Sequence, residues 1–312
     1  MNVKDLLERK TAENAGAGPA VSGTGSGSSS FSKAFAGALG VLTRFLGPSD
    51  GAEASKPGGM EPRPEQEESR EKIGWFSPSY TRSRSVTLNP ETLIANRCVA
   101  YRSESAEADS YRVLRTRLLK RIRETGGNTV MVTSALPGEG KTLTAINLAL
   151  ICAREFHQTV LLVDGDLRRQ KIHRYLGYPS RLGLIDYLLN DTPVQDVMVW
   201  PGVEKLTVIS GGRTVAESSE LLGSRRMREL VAEMKQRYPD RILFFDTPPV
   251  LTGADTIAFA PLVDHILVTA RSGATQLPDL QKALAMLPGE KIAGLVLNRQ
   301  APEEVPYYKA GG

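Results

Sequence analysis

Residues 134–142, SALPGEGKT, decide the fold of this chain because of the two apolar segments between which they lie. Residues 129–134 are rich in β-branched side chains and predict a strand, and residues 143–153 predict an apolar helix. A glycine-rich loop that joins a strand to a helix and ends in Lys-Thr is typical of a phosphate-binding loop. The stretch therefore predicts a site for a nucleoside triphosphate and a magnesium ion.

The residue types of the loop suit that ligand. Gly138 and Gly140 allow backbone N–H groups to turn inward around phosphate oxygens, and the helix start adds the positive end of its dipole. We expect Lys141 to reach the β- and γ-phosphates and Thr142 to bind Mg²⁺. The nucleotide-binding residues predicted in this stretch are Pro137, Gly138, Glu139, Gly140, Lys141, Thr142 and Leu143.

Apolar and helical segments alternate on both sides of the loop. Further strands are predicted at residues 159–164, 206–210, 242–246, 265–270 and 292–298. Such alternation is typical of an α/β fold with a mostly parallel sheet that is covered by helices on both faces. We expect this domain, a P-loop nucleoside-triphosphate-binding fold, to occupy residues 100–300.

Three aspartates stand where two of these strands end. Asp164 and Asp166 belong to LLVDGDLR at residues 161–168, and Asp246 belongs to ILFFDTPP at residues 242–249. Ligands of open α/β sheets bind at the carboxyl ends of the strands, so we expect these carboxylates near the loop. Asp246 is the natural candidate to reach Mg²⁺ through a water molecule.

Residues 1–99 are predicted to form a flexible arm, because residues 11–87 are rich in Gly, Ser, Pro and Glu. Within the arm, apolar residues at helical spacing predict a short amphipathic helix near residues 31–46. That helix could dock on a partner helix, lie on an anionic membrane surface or pack back on the domain. The sequence favours none of the three.

Composition and charge predict the compartment of the protein and bear on its partners. The chain has 312 residues and a net charge of +4, with basic and acidic residues interleaved, so no nucleic-acid partner is expected. Two cysteines, Cys98 and Cys152, are typical of a reducing compartment. Neither a signal peptide nor an apolar run of about 18 residues is present, so we expect a cytoplasmic protein.

Three motifs together carry a resemblance to a known family: SALPGEGKT at 134–142, LLVDGDLR at 161–168 and LFFDTPP at 243–249. They resemble the bacterial tyrosine autokinases of capsule and exopolysaccharide biosynthesis, which are related to the cell-division and partition P-loop ATPases. SYRVLRT at 110–116 and SELL at 219–222 support the resemblance, which covers roughly residues 100–300. It implies protein-tyrosine phosphorylation with ATP and Mg²⁺ as cofactors, which ATP hydrolysis could accompany.

The resemblance also implies roles for single residues. Asp164 looks like the base that takes the proton from a tyrosine hydroxyl, and Arg168 would stabilise charge on the transferred phosphoryl group. Asn298, at the end of the last strand, matches a residue that contacts the nucleotide base. The implied catalytic residues are Lys141, Asp164, Asp166 and Arg168, and the implied metal ligands are Thr142, Asp166 and Asp246.

The carboxyl-terminal tail, residues 301–312, contains the phosphoacceptor candidates Tyr307 and Tyr308. Members of the family usually end in a cluster of several tyrosines, so two is a departure. The nine residues from Asn298 to Tyr307 span roughly 30 Å when extended, at about 3.3 to 3.6 Å each. Because Pro302 and Pro306 favour extension, such a tail could enter the site of a neighbouring subunit.

The partners are likewise implied by the resemblance. Kinases of this family that lack a membrane span work with a membrane-embedded polysaccharide chain-length/activator protein, which would recruit this chain to the inner face of the cell membrane. A cognate tyrosine phosphatase and self-association are also expected. The family's oligomerisation helix usually carries a glutamate where this chain has the shorter Asp109.

Two other functions fit the phosphate-binding loop. A partition or positioning ATPase would hydrolyse ATP as a switch, but such proteins carry an additional lysine early in the loop, where this chain has Leu136. A nucleotide-controlled scaffold of polysaccharide assembly, without kinase activity, is favoured somewhat by the reduced set of tail tyrosines.

Overall fold

The computed structural model describes residues 84–102, 106–155, 158–237 and 240–300. The predicted arm helix near 31–46 and the tail 301–312, with Tyr307 and Tyr308, lie outside the described residues. Within the described part, the alternation of apolar strands and helices that the sequence predicts is confirmed as an α/β fold.

A single sheet of eight strands runs through the described residues. In chain order the strands are β1 (Arg84–Ser85), β2 (Thr129–Ser134), β3 (Thr159–Asp164), β4 (Met198–Trp200), β5 (Leu206–Ile209), β6 (Arg241–Asp246), β7 (His265–Arg271) and β8 (Ile292–Asn298). Their order across the sheet is β1-β4-β5-β3-β6-β2-β7-β8. The six long strands β5, β3, β6, β2, β7 and β8 are mutually parallel, as predicted, and only the β4–β5 pairing is antiparallel.

The central strands are apolar along their whole length because both faces of the sheet are covered. Successive residues of a strand point to opposite faces. Accordingly, Phe244 packs in one buried cluster with Val130 and Leu162, whereas Phe245 packs in the other cluster with Met131. A strand that is buried on both faces cannot alternate between apolar and polar residues, which explains the continuous apolar runs in the sequence.

Ten helices connect the strands in the described part of the chain. They are α1 (Pro90–Ala95), α2 (Ala106–Thr125), α3 (Lys141–Cys152), α4 (Ile172–Leu176), α5 (Leu184–Asn190), α6 (Val194–Val197), α7 (Ser218–Leu222), α8 (Arg225–Arg237), α9 (Asp255–Phe259) and α10 (Leu277–Ala285). Short 3₁₀ turns lie at Val99–Tyr101, Val250–Thr252, Ala260–Leu262 and Gly289–Lys291. None of the helices described is long and apolar enough to cross a lipid bilayer.

The folded unit extends amino-terminal to the predicted domain boundary near residue 100. Strand β1 pairs with β4 and forms the edge of the sheet, and the side chain of Asn89 caps α1 by accepting the N–H of Glu91 at 2.8 Å. Leu93 of α1 and Cys98 are buried in the same apolar cluster as α3. Residues 84–99 are therefore part of the domain, although a two-residue strand leaves no periodicity that a sequence could reveal.

The order of the strands brings the predicted site together. Strands β3, β6 and β2 are neighbours, and their register places Asp164 beside Asp246 and Asp246 beside Val132. Because parallel strands end at the same edge of the sheet, these aspartates lie beside the loop that follows β2.

Replacing Leu93 by alanine should test whether α1 belongs to the domain. Leu93 is fully buried, so Leu93→Ala should lower the free energy of unfolding by about 2 to 5 kcal/mol in urea denaturation. Ile94 on the same helix is 41% exposed, and Ile94→Ala should cost less than about 1 kcal/mol. Equal, small losses for the two variants would mean that α1 contributes little to the fold.

Candidate active site

The loop after β2 has the backbone of a phosphate cradle. Gly138 and Gly140 have φ angles of 83° and 94°, which lie in the left-handed region that disfavours side chains. At Gly140 a Cβ atom would also lie 1.9 Å from the Nδ2 atom of Asn298, so a side chain there would displace that amide from its contact with the loop. Gly140 offers no side chain to cap α3, which begins at Lys141, and the first N–H groups of this helix suit an anion.

Glu139 shapes the loop from inside. Its side chain is buried, and its Oε2 atom accepts the N–H of Leu136 at 2.9 Å. The hydroxyl of Thr275 donates to the Oε1 atom, and the amide of Asn298 donates to the Glu139 carbonyl oxygen at 3.0 Å. Segments that follow β7 and end β8 therefore hold the loop in place. The predicted contact of Asn298 with a nucleotide base stays a prediction.

Lys141 lies beneath the loop and is shared by two aspartates. Its Nζ atom is 2.9 Å from Asp166 Oδ2 and 3.3 Å from Asp246 Oδ1. Burial lowers the pKa of Lys141, but the charges of Asp246 and Asp166 outweigh it and raise the pKa above its ordinary value. The lysine is therefore charged at neutral pH, as a phosphate ligand must be.

Asp246 carries the feature that best fits a metal ion. The residue is fully buried, and its Oδ2 atom has no hydrogen-bond partner among the described residues. Burial raises the pKa of Asp246, and the charge of Lys141 partly opposes that rise. The described residues contain no group of three or more acidic, His or Cys side chains that could hold a metal by themselves. Mg²⁺ bound through one or two carboxylates, a hydroxyl and substrate phosphates fits such a site.

Asp164 is fully buried and tied to the backbone. Its Oδ2 atom accepts the N–H groups of Lys171 and Ile172, both at 3.0 Å, and its Oδ1 atom accepts that of Asp166 at 3.3 Å. Burial and the neighbouring Asp246 raise the pKa of Asp164 to about 7. The contacts of this carboxyl group thus fold the loop between β3 and α4, and the predicted role as base stays a prediction.

Arg168 lies at the rim of the site, where it contacts Ser218 and Asp255. The sequence did not predict these two contacts. The Nε atom of Arg168 donates to Ser218 Oγ at 2.6 Å and lies 3.9 Å from Asp255 Oδ2. Ser218 donates in turn to Asp255, and both of these residues are buried. The same loop is held a second time by Gln170, whose Nε2 atom donates to the Arg213 carbonyl at 2.7 Å.

The structure brings most of the predicted site residues together. Asp164, Asp166 and Asp246 are buried where β3 and β6 end, and Lys141 is buried at the start of α3. Thr142 is buried, Leu143 is half-buried against the apolar cluster of α3, and Pro137 and Gly138 are exposed at the tip of the loop. Thr275, Ser218, Asp255 and Gln170 were not predicted, because each joins the site through contacts between segments distant in sequence.

A phosphate-binding loop together with strand-end aspartates around its lysine defines a P-loop nucleotide-binding protein. No model of a protein family matches the chain. The tyrosine-protein kinase YwqD of Bacillus subtilis is 32% identical over 197 residues, which are 62% of this chain and 82% of that protein. The chain belongs to the bacterial tyrosine-protein kinases, which confirms the resemblance of its motifs.

Two solved structures are similar to this chain. The kinase domain of the Escherichia coli tyrosine kinase ETK is 32% identical, with a TM-score of 0.58 over 62% of this chain and 76% of that one. The chimerical protein CapA2B2 is 27% identical, with a TM-score of 0.61 over 70% of this chain and 93% of that one. Some relatives are much longer, and this chain spans only 26% of the putative tyrosine-protein kinase EpsB of Ralstonia nicotianae.

The pKa of Asp164 makes stability depend on pH. In the unfolded chain an aspartate has a pKa of about 3.9, whereas in the fold it is about 7. Between these values the folded state binds a proton that the unfolded state lacks, so stability should fall as the pH rises from 5.5 to 8. We expect the melting temperature without nucleotide to follow this trend, and Asp164→Asn to flatten it. An unchanged slope in that variant would contradict the assignment.

Proposed function

We propose that this chain is an ATP-dependent protein-tyrosine autokinase that regulates the polymerisation and export of a capsular or extracellular polysaccharide. The observation that carries the proposal is the position of Lys141, which is held by Asp166 and Asp246 directly beneath the glycine loop. A cation that two carboxylates share can be released to phosphates when a metal ion bound at Asp246 supplies the positive charge in its place.

The residues that would hold Mg-ATP follow from this geometry. Backbone N–H groups at Gly138 and Gly140 would surround the phosphates, Lys141 would pair with them, and Thr142 and Asp246 would contact the metal. ATP supplies the transferable γ-phosphoryl group, and Mg²⁺ neutralises its charge. Arg168, fixed by Ser218 at one edge of its guanidinium group, would present its other edge to the transferred group.

Two carboxylates are candidates to accept the tyrosine proton. Asp164 keeps both oxygens on backbone N–H groups, whereas Asp166 Oδ2 binds only Lys141 among the described residues. When Lys141 pairs with phosphate, this oxygen of Asp166 becomes free. We therefore assign proton acceptance to Asp166 and the positioning of its loop to Asp164, whereas the family resemblance implies Asp164 as the base and Asp166 as a metal ligand.

Two variants distinguish the proposed roles of Asp166 and Asp164. Asp166→Asn removes an acceptor without changing size, so kcat for tyrosine phosphorylation should fall by about 10² to 10⁴ while binding of ATP persists. Asp164→Asn should lower the melting temperature as well, because Asp164 folds the loop. Phosphotyrosine formation with labelled ATP and differential scanning fluorimetry measure the two effects. A fully active Asp166→Asn protein would exclude it as the base.

The acceptor residues are proposed to be Tyr307 and Tyr308. Purified protein incubated with Mg-ATP should label on these tyrosines, with and without the proposed membrane-embedded activator protein, and a cognate phosphatase should remove the label. Lys141→Met should abolish labelling, and Tyr307→Phe with Tyr308→Phe should abolish it without loss of ATP binding. ATP turnover with no phosphotyrosine would instead support the partition-type ATPase.

The support of Arg168 can be tested with a double-mutant cycle. Asp255→Asn should lower kcat about fivefold, since Arg168 then loses a charged neighbour. In an Arg168→Ala background the same change should have almost no further effect on kcat. An equal loss in both backgrounds would show that Asp255 stabilises the fold rather than Arg168. Arg225→Ala, which removes an exposed cation paired with Glu229, is the matched control.

A further inference from the structure

Three exposed cations, Arg169, Lys171 and Arg174, follow the aspartates of β3 along the chain. We call them the basic surface. Ion pairs are frequent elsewhere in the domain, but the side chains of these three form none with the residues that the structure describes. Three like charges without a described counterion, on one short segment, suit an acidic ligand.

The basic surface borders Asp164 and Asp166, the second of which is the proposed proton acceptor. The N–H of Arg169 donates to Asp166 Oδ1 at 3.1 Å, and that of Lys171 donates to Asp164 Oδ2 at 3.0 Å. Arg174 lies three residues further on, which is about 5 Å along α4 at 1.5 Å per residue. A peptide with its tyrosine at Asp166 would therefore pass these cations within a few residues of the tyrosine.

The tail of this chain has the complementary charge at that distance. Glu303 and Glu304 stand four and three residues before Tyr307 in the sequence APEEVPYYKAGG. At about 3.3 to 3.6 Å per residue, three to four residues span roughly 10 to 14 Å. Long arginine and lysine side chains beside Asp166 can reach a carboxylate over that distance.

We propose that the basic surface binds acidic residues that precede the acceptor tyrosine, and that its occupant is the Glu303–Glu304 segment of a second copy of this chain. This inference rests on the proposed kinase function and adds a substrate preference to it. The preference is for acidic residues at the third and fourth positions before the tyrosine.

The sheet order argues for a second copy rather than the chain's own tail. The basic surface follows β3, whereas the tail follows β8, four strand spacings or about 19 Å away. A tail that starts at β8 and reaches Asp166 would have its glutamates on the β8 side of the tyrosine, away from the basic surface. A tail from another subunit can approach in the opposite direction.

A peptide assay tests the preference. The full chain carrying Tyr307→Phe and Tyr308→Phe would phosphorylate the peptide APEEVPYYKAGG and its counterpart with Glu303→Gln and Glu304→Gln. We expect KM for the neutral peptide to be about fivefold higher than KM for the acidic peptide, and the two kcat values to agree within about twofold. The difference in KM is modest because exposed ion pairs are individually weak. This difference should shrink in about 0.5 M salt, where the Debye length is only a few ångströms.

Variants of the kinase assign the effect to the basic surface. A triple variant should remove the preference: it carries Arg169→Gln, Lys171→Gln and Arg174→Gln. Its KM for the acidic peptide should rise to the KM of the neutral peptide, and its KM for the neutral peptide should not change. Arg169→Glu with Lys171→Glu should restore binding of a peptide carrying lysine at 303 and 304. Lys282→Gln, which removes another exposed cation, on α10, is the matched control and should have no effect.

The outcomes of these assays distinguish the proposed kinase function from the proposed role of the basic surface. Equal KM values for the acidic and neutral peptides, or an equal rise caused by Lys282→Gln, would overturn the basic surface and leave the kinase function standing. Absence of phosphorylation of every peptide would overturn the kinase function. In that event, fluorescence anisotropy of labelled APEEVPYYKAGG still tests the surface: binding that the triple variant weakens supports it, and unchanged binding refutes it.

Discussion

The pairing of Lys141 with Asp166 and Asp246 is the interaction on which the site depends. These residues come from three segments that meet only because β3, β6 and β2 are neighbours in a parallel sheet. Burying a charge costs several kcal/mol unless a partner compensates it, so the lysine and the aspartates require one another. The ion pair with Asp166 also links the start of α3 to the loop after Asp164.

One ammonium group and three carboxyl groups share the buried centre of the site. Burial raises the pKa values of Asp164 and Asp246, and a neighbouring carboxyl group raises each of them further, which indicates an excess of potential negative charge. In the proposed function, a divalent cation would remove that excess and free Lys141 for phosphate. Binding of a metal and binding of a triphosphate would then be coupled through one lysine, which suits phosphoryl transfer by positioning and charge neutralisation.

Hydrogen bonds to surrounding side chains hold the phosphate loop and Arg168, whereas the centre of the site is held by ion pairs. Glu139 and Thr275 brace the phosphate loop, while Ser218 and Asp255 brace Arg168, and most of these polar groups are buried. Buried hydrogen bonds hold a side chain in one orientation because an unpaired buried polar group is costly. Catalytic groups that are fixed in this way need little reorganisation during transfer.

The sequence by itself determined the fold class and the six long strands. It also singled out Lys141, Asp164, Asp166 and Asp246, which the sheet brings together, because each is marked by a local pattern: a glycine loop, or an aspartate after an apolar run. Strand β1 was missed because two residues pair only when β4 is already in place. Only the tertiary structure decided which oxygen of Asp164 or Asp166 meets the backbone and which meets Lys141. Those contacts join segments far apart in sequence, and local spacing carries no record of them.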